Sequence, residues 1–331
     1  MKNVLVTGAA GFIGSHVVRD LLESTGARVR AVIRPGEKAS SLEGLDVERM
    51  EGDILDRGFV DRAMKGVDTL FHLAAVYSVW MPDWKPLWEI NLQGTRNVLW
   101  SAIKQQVQKV VYTSSVSAIG VLPGKTPSDE TTPFNQYGLL HHYVLSKYLS
   151  QQEALGFAAA GLDLTVVNPA FPFGEDDKAP TPTGQAMINM VKGLSRFDFP
   201  GGINLVDVKD VARGHVLAAE KGRSGELYIL SNLNVTIKEF YLLVCQAAGI
   251  EPKWTPKVPT FLMRGLSGLL TEWSDRVSQR PPLSTPADIR YASNYLFFDN
   301  GKAVRELGLS FAPVGPSLER SVAWFRKNGY V

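Results

Sequence analysis

Cysteine is almost missing from this chain of 331 residues: the single thiol, Cys245, excludes an internal disulfide and a cysteine-rich metal site. Its apolar setting, Tyr241-Leu-Leu-Val-Cys-Gln-Ala-Ala, marks it as a small core side chain. Net charge is nearly absent as well. Lys and Arg exceed Asp and Glu by only +2, and no basic run carries interleaved aromatics, so nucleic acid is not an expected partner. No apolar stretch is long enough to span a bilayer, which excludes an integral membrane segment. Met1 leads almost at once into the strand-like Asn3-Val-Leu-Val-Thr7, leaving no room for a cleavable leader, and a cytoplasmic protein is expected. The histidines, among them His72, His141, His142 and His215, lack metal-ligand spacing, so no metal site is expected and core, cap or surface roles are assigned to them. His142 adjoins Tyr143 and is the one worth testing.

What is present is an ordinary globular composition, 45% hydrophobic, in a chain long enough for one two-lobed domain or two intimate ones. Short β-branched runs (Val4-Leu-Val, Val29 to Ile33, Val47 to Met50, Thr69 to Leu73, Lys109 to Thr113, Leu164 to Val167) alternate with longer helical patterns. Such alternation predicts repeated βαβ units: an α/β protein with a Rossmann-type, doubly wound parallel sheet that binds ligands at the carboxyl ends of its strands. From Pro169 onward prolines and glycines become frequent, and the chain is expected to leave the sheet. It should return through Asn204-Leu-Val-Asp and Gly225-Glu-Leu-Tyr-Ile-Leu. The division expected is a dinucleotide-binding domain over 1–170 plus about 203–232, and a smaller, discontinuous C-terminal substrate lobe over about 171–202 and 233–331.

Gly8, Gly11 and Gly14 follow the first strand and open the first helix, spaced three and three. Glycines here permit a tight turn and close backbone approach, and the helix N-terminus offers free N–H groups to a pyrophosphate. At the end of the second strand, where an acidic residue would accept bonds from a ribose 2′-hydroxyl, the chain has Arg34, with Lys38 nearby. A guanidinium suits a 2′-phosphate, so the cofactor expected is NADP(H), with NAD the alternative. Asp53, in Gly52-Asp53-Ile54 after the third strand, has two readings, a bond to the adenine amine or a plain turn, since Asp after Gly is common in turns. Further on, Thr113-Ser114-Ser115 precedes Tyr143-Val-Leu-Ser-Lys147. A helix over 140–158 puts Tyr143 and Lys147 on one face, one turn apart, and a nearby ammonium favours phenolate, lowering the tyrosine pKa from about 10 toward a useful range.

With these residues in view the chain resembles the extended short-chain dehydrogenase/reductase family from Met1 to about Val331. The glycine segment, His72-Leu-Ala74-Ala75, Asn91-Leu-Gln-Gly94-Thr95, the serine after the fifth strand and Tyr-x-x-x-Lys occur in the family's order. The likeness is greatest to dihydroflavonol 4-reductase, 3β-hydroxysteroid dehydrogenase and sterol-4-carboxylate dehydrogenase branches and to hopanoid-associated sugar epimerase-like bacterial proteins. The resemblance implies that Tyr143 exchanges the proton on the substrate oxygen, that Lys147 bonds the nicotinamide ribose and depresses the tyrosine pKa, and that Ser115 rather than Ser114 bonds the carbonyl. It implies cofactor contacts from Gly8, Ala10, Gly11, Phe12, Ile13, Asp53, Ile54, Leu73, Ala74 and Ala75, with Asn168, Pro169 and Ala170 facing the nicotinamide. Asn91 would brace the loop after the fourth strand, and a homodimer would form through the helices after the fourth and fifth strands.

The substrate expected is a small lipophilic molecule. Nucleotide-sugar epimerases of the family usually carry an arginine where this chain reads Gly202-Ile-Asn-Leu205, and Arg-x-x-Asn where it has Asn168-Pro-Ala-Phe-Pro-Phe173. Apolar residues stand in their place. Tyr77, Trp80, Phe171 and Phe173 are candidate substrate contacts, whereas Leu269-Leu270 reads as core. The function expected is NADP(H)-dependent interconversion of a ketone and a secondary alcohol on a sterol, hopanoid or dihydroflavonol-like compound. An NAD-dependent sugar epimerase or dehydratase is the alternative; a cofactor-sensing protein is disfavoured by the intact Ser115, Tyr143 and Lys147.

Overall fold

A computed structural model of the chain describes residues 1–195, 198–282 and 284–331. Its main sheet is built from β1 (Asn3–Thr7), β2 (Arg28–Ile33), β3 (Glu48–Glu51), β4 (Thr69–His72), β5 (Lys109–Thr113) and β6 (Leu164–Pro169), the segments that the β-branched runs predict. The helices between them are α1 (Phe12–Ser24), α2 (Arg57–Met64), α3 (Lys85–Trp88) running through a π-helical turn Glu89–Gly94 into α4 (Thr95–Lys104), and α5 (His142–Ala159). After β6 come β7 (Phe171–Phe173), α6 (Pro182–Val191), β8 (Gly202–Asp207), α7 (Val208–Lys221), β9 (Leu227–Leu230), β10 (Leu233–Thr236) and α8 (Ile237–Ala248). The chain ends in α9 (Thr260–Trp273), α10 (Pro286–Ala292) and α11 (Val314–Lys327).

Seven parallel strands in the order β3-β2-β1-β4-β5-β6-β9 form the main sheet. Strand order reverses between β1 and β4, and ligand crevices open at such a reversal, beyond the carboxyl ends of the strands. A second sheet, β10-β8-β7, pairs β7 and β8 parallel and β8 and β10 antiparallel. Here the strand assignment differs from the sequence reading. Gly202–Asp207 joins this small sheet, and the return to the main sheet is made by α7, packed against α1, and by β9 beside β6. A β-branched run shows that a strand is buried, not which sheet buries it.

One core lies between the sheet and the α1 and α7 side, with Val17, Val18, Leu21, Val211 and Val216 fully buried. A second, on the opposite face, holds Leu70, Val98, Leu99 and Val110. A third, in the C-terminal lobe, gathers Phe173, Met187, Phe240, Val244, Cys245, Leu318 and Phe325. No helix of the described residues is long and apolar enough to cross a membrane.

Candidate active site

The β1–α1 loop turns on Gly8, whose φ of +68° suits glycine and whose carbonyl accepts from Gly11 N (3.1 Å). A Cβ at Gly8 would lie 2.8 Å from the Ala74 nitrogen, and one at Gly14 only 2.1 Å from the Gly8 carbonyl oxygen. Loop, helix and the β4 exit are thus packed backbone to backbone. The N-terminus of α1 has no side-chain cap and no acidic residue in its first turn, which leaves its amides and positive dipole end for an anion. Gly8, Gly11, Arg34, Asp53, Ile54, Leu73, Ala74, Ala75 and Tyr77 line one cleft of about 350 Å³. An uncapped helix end closing such a cleft fits a dinucleotide. Ala10, Phe12 and Ile13 lie outside the lining: the Ala10 carbonyl accepts from Ser41 Oγ, Phe12 meets His16 edge-on, and Ile13 packs on the core.

At the far end of the cleft the structure adds two carboxylates that the sequence reading passes over. Glu37 lines the cleft and accepts from the Arg34 amide at 3.3 Å, and Glu51 accepts from the Gly36 amide at 2.9 Å. Asp53 caps its own turn by accepting from Leu55 N (2.9 Å).

The candidate reacting groups stand at the exit of β5 and on α5. Ser115, in extended backbone just past β5, hydrogen-bonds the phenol of Tyr143 and accepts from Ser117 N (3.1 Å). Tyr143 stands in the first turn of α5, and Lys147, 4% exposed, follows one turn on. The Lys147 ammonium donates to the Thr113 carbonyl (2.7 Å) and lies over the Tyr112 ring. This changes the expected electrostatics. Burial pushes the Tyr143 phenol up to about 12; the Ser115 hydrogen bond opposes that rise, and Lys147 does not depress it. The phenol is therefore a neutral acid throughout the physiological range. Lys147 itself is pushed down from 10.5 to about 7 by burial.

The lysine shift has a sign that can be tested. Between pH 7 and 10.5 the unfolded chain binds more proton at this side chain than the folded protein does, so the stability of the cofactor-free protein gains with pH across that window. Lys147→Met is expected to raise the melting temperature at pH 7 by several degrees and to flatten its dependence on alkaline pH, while turnover is lost. Thermal unfolding at a series of pH values checks this; a variant less stable than wild type at pH 7 contradicts the assignment.

The frame around these groups is rigid. His72, fully buried and pushed down to about 3 chiefly by burial, lies between Thr7 Oγ1 (2.7 Å) and Thr95 Oγ1 (3.0 Å). Neutral, it ties β1, β4 and α4 together. In the π-helical turn, Asn91 accepts from Val76 N (2.7 Å) and donates to both Val76 O and Ser146 Oγ (3.0 Å each), a brace between the β4 loop and α5. Asn168 donates to the Ser115 carbonyl (2.8 Å) and to Gln151 Oε1 (2.7 Å), joining β6, the serine and α5. Its own Oδ1, like Ser114 Oγ, is buried without a partner. An acceptor left free at the β6 exit suits a carboxamide N–H, an observation that also fits the nicotinamide end of the group. Pro169 ends β6, and Ala170 N donates to Leu230 O (3.0 Å).

The wall facing Tyr143 is aromatic. Tyr77 meets it edge-on with ring centroids 4.5 Å apart, and Tyr291 of α10 is near enough to act on it electrostatically. His142 stacks on Trp84 (4.2 Å) and its Nδ1 accepts from Trp88 Nε1 (3.1 Å), which builds the ring into the wall. Trp80 is buried, its Nε1 donating to Asp275 (2.7 Å). Phe171 is half-buried against the core, and Phe173 is turned fully into the C-terminal core, so it does not line the site. Contacts that the sequence reading did not anticipate complete the wall: His141 and Asp288 pair at 3.0 Å, and Arg290 donates to the Leu139 carbonyl (2.9 Å), fastening α10 to the start of α5. The capping box Thr285-Pro-Ala-Asp288 announces that helix in the sequence, but nothing local announces a partner 147 residues away. Among the described residues no three His, Cys, Asp or Glu come together to hold a metal.

Residues 4–231 match the model of the NAD dependent epimerase/dehydratase family. A putative dihydroflavonol 4-reductase of Synechocystis sp. is 36% identical over 98% of this chain and 95% of its own. Sterol demethylase protein B of Methylococcus capsulatus is 33% identical over 99% of both chains. Among solved structures, gox2253 superposes with a TM-score of 0.88 at 37% identity over the whole of both chains. These likenesses fit the glycine turn and the Ser115, Tyr143 and Lys147 grouping: the chain belongs to the NAD dependent epimerase/dehydratase family, whose members are NAD(P)-dependent enzymes acting on alcohol and ketone groups.

Proposed function

We propose that the protein is an NADP(H)-dependent oxidoreductase that interconverts a ketone and a secondary alcohol on a bulky lipophilic molecule, of the sterol, hopanoid or dihydroflavonol kind. The observation that carries this is the aromatic wall of Tyr77 and Tyr291 around Tyr143. Concave apolar linings favour apolar ligands with a few polar anchors. Where a nucleotide-sugar enzyme would place an arginine for the diphosphate, Asn204 is fully buried, donating to Asn234 (2.7 Å) and accepting from Asn232 N (2.8 Å). The dihydroflavonol reductase and sterol demethylase relatives support the same reading.

A bound nicotinamide would supply or receive the hydride. In reduction Tyr143 gives its phenolic proton to the carbonyl oxygen as charge develops there, and Ser115 donates a hydrogen bond to the same oxygen. Lys147 and Asn168 would hold the nicotinamide end, and the α1 amides the pyrophosphate. Oxidation uses the same residues in reverse, with the phenol first losing its proton.

The test is a panel of sterol, flavonoid and sugar-nucleotide substrates followed by NADPH absorbance. Turnover of a polycyclic ketone supports the proposal. Interconversion of a sugar nucleotide without added NADPH overturns it in favour of an epimerase, a reading that Glu37 beside Arg34 favours, because a carboxylate there accepts from a ribose 2′-hydroxyl. Arg34 decides between the cofactors. Arg34→Ala is expected to raise KM for NADPH roughly tenfold or more and to leave KM for NADH little changed, because a charge-assisted bond to a 2′-phosphate would be lost. Equal effects on the two would show that Arg34 does not read the phosphate. We place the expected homodimer at α4 and α5, where Trp100, Ile103 and Leu149 are exposed, and sedimentation should then give twice the monomer mass.

A further inference from the structure

α9 does not sit in a core. Of its residues Thr260–Trp273 only Ser267 is buried, and Leu269, which the sequence reading assigns to the core, is 72% exposed. Leu262, Leu266, Leu269 and Trp273, spaced four, three and four, form one apolar stripe along the outer side, and Val277 extends it. Phe261 and, just upstream, Trp254 are also exposed. A stripe of this size is out of place against water.

Charge indicates what covers it. Lys253, Lys257, Arg264, Arg276 and Arg280 are all exposed, against Glu272 and Asp275 over the same stretch, so residues 252–282 carry +3 in a chain whose net charge is +2. An amphipathic helix with exposed Trp, Phe and Leu and a surplus of Lys and Arg has the composition of one that lies in a membrane interface. The charge disfavours the other occupant for which heptad-like spacing is suited, a second copy of the same helix, because +3 would then face +3.

We propose that α9, with its basic flanks, docks the protein on an anionic lipid surface. The helix is coupled to the site: Asp275, just beyond it, holds Trp80, and α10, packed on α9, carries Asp288 and Tyr291 to the start of α5. Docking therefore sets the aromatic wall beside the lipid. The inference stands apart from the substrate reading, and a failed ketone screen would leave it untouched.

Co-sedimentation of the full chain with vesicles of phosphatidylcholine, alone or mixed with phosphatidylglycerol, tests it. Wild type is expected to bind the anionic vesicles, and more weakly as salt rises. The triple variant Leu266→Ser, Leu269→Ser, Trp273→Ser should lose at least about tenfold in partitioning while keeping its melting temperature and NADPH binding. Lys253→Gln, Lys257→Gln, Arg264→Gln, Arg280→Gln together should abolish the preference for anionic vesicles. Failure of wild type to bind either vesicle, or binding by the triple variant equal to wild type, overturns the proposal. So does a self-association in sedimentation that the triple variant removes while vesicles bind neither protein; the occupant would then be a second copy.

Discussion

Tyr143→Phe is expected to lower kcat by about 10²- to 10⁴-fold with NADPH affinity and melting temperature close to wild type. The substitution removes one oxygen and little else. Phenylalanine keeps the ring that Tyr77 meets edge-on, and Ser115 keeps its bond from Ser117 N, so neither packing nor backbone should shift. What disappears is the proton. The wild-type phenol is pushed up to about 12 and stays protonated at neutral pH, so under the proposed mechanism it is the group that holds the proton to be given up in reduction. Ser115→Ala should cost less, because it removes one stabilising hydrogen bond and leaves the acid in place. Steady-state kinetics with fluorescence titration of NADPH separates these effects; a Phe variant turning over at the wild-type rate would remove Tyr143 from the chemistry.

Gly14→Ala should weaken NADPH binding by roughly 10- to 100-fold and lower the melting temperature, a loss typical of overpacking by a single methyl group in a tight site. The new Cβ would stand 2.1 Å from the Gly8 carbonyl oxygen, 2.9 Å from the Gly8 carbonyl carbon and 3.1 Å from Ala9 Cα, all of them backbone. Nothing there can rotate away. Nor can the helix slide, because Val17, Val18 and Leu21 are fully buried in its packing against α7. The loop must open, and with it the amides presented to a pyrophosphate. Gly156→Ala is the control: no φ constraint and no neighbour within 4 Å apply at this helical position, so it should be neutral or stabilising by up to about 1 kcal/mol. Equal behaviour of the two variants in calorimetry and cofactor titration would refute the cradle argument.

Much of the site was legible because its signals are local. Gly8, Gly11 and Gly14 sit within one loop and one helical turn; Tyr143 and Lys147 share a helix face; β-branched runs marked β1 to β6 before any contact was known. Helix and strand periodicity convert such spacing into geometry without reference to the rest of the fold. Local spacing misleads where the outcome depends on surroundings. The ammonium four residues from Tyr143 suggested a lowered phenol pKa, whereas the lysine turns to the Thr113 carbonyl and burial raises it. Phe173 and Leu269 exchange the roles their neighbours suggested: the first is fully buried, the second 72% exposed.

By itself, then, the sequence determined the parallel α/β sheet, the glycine turn that opens α1 and the residues proposed for proton transfer, because each is written in residues a few positions apart. Only the tertiary structure decided that Gly202–Asp207 belongs to the second sheet, that Asp288 and Tyr291 reach the start of α5, that Glu37 lines the cleft beside Arg34, and that α9 presents its leucines outward. Those outcomes rest on contacts between segments far apart in the chain, and an apolar pattern specifies that a face seeks cover, not what covers it.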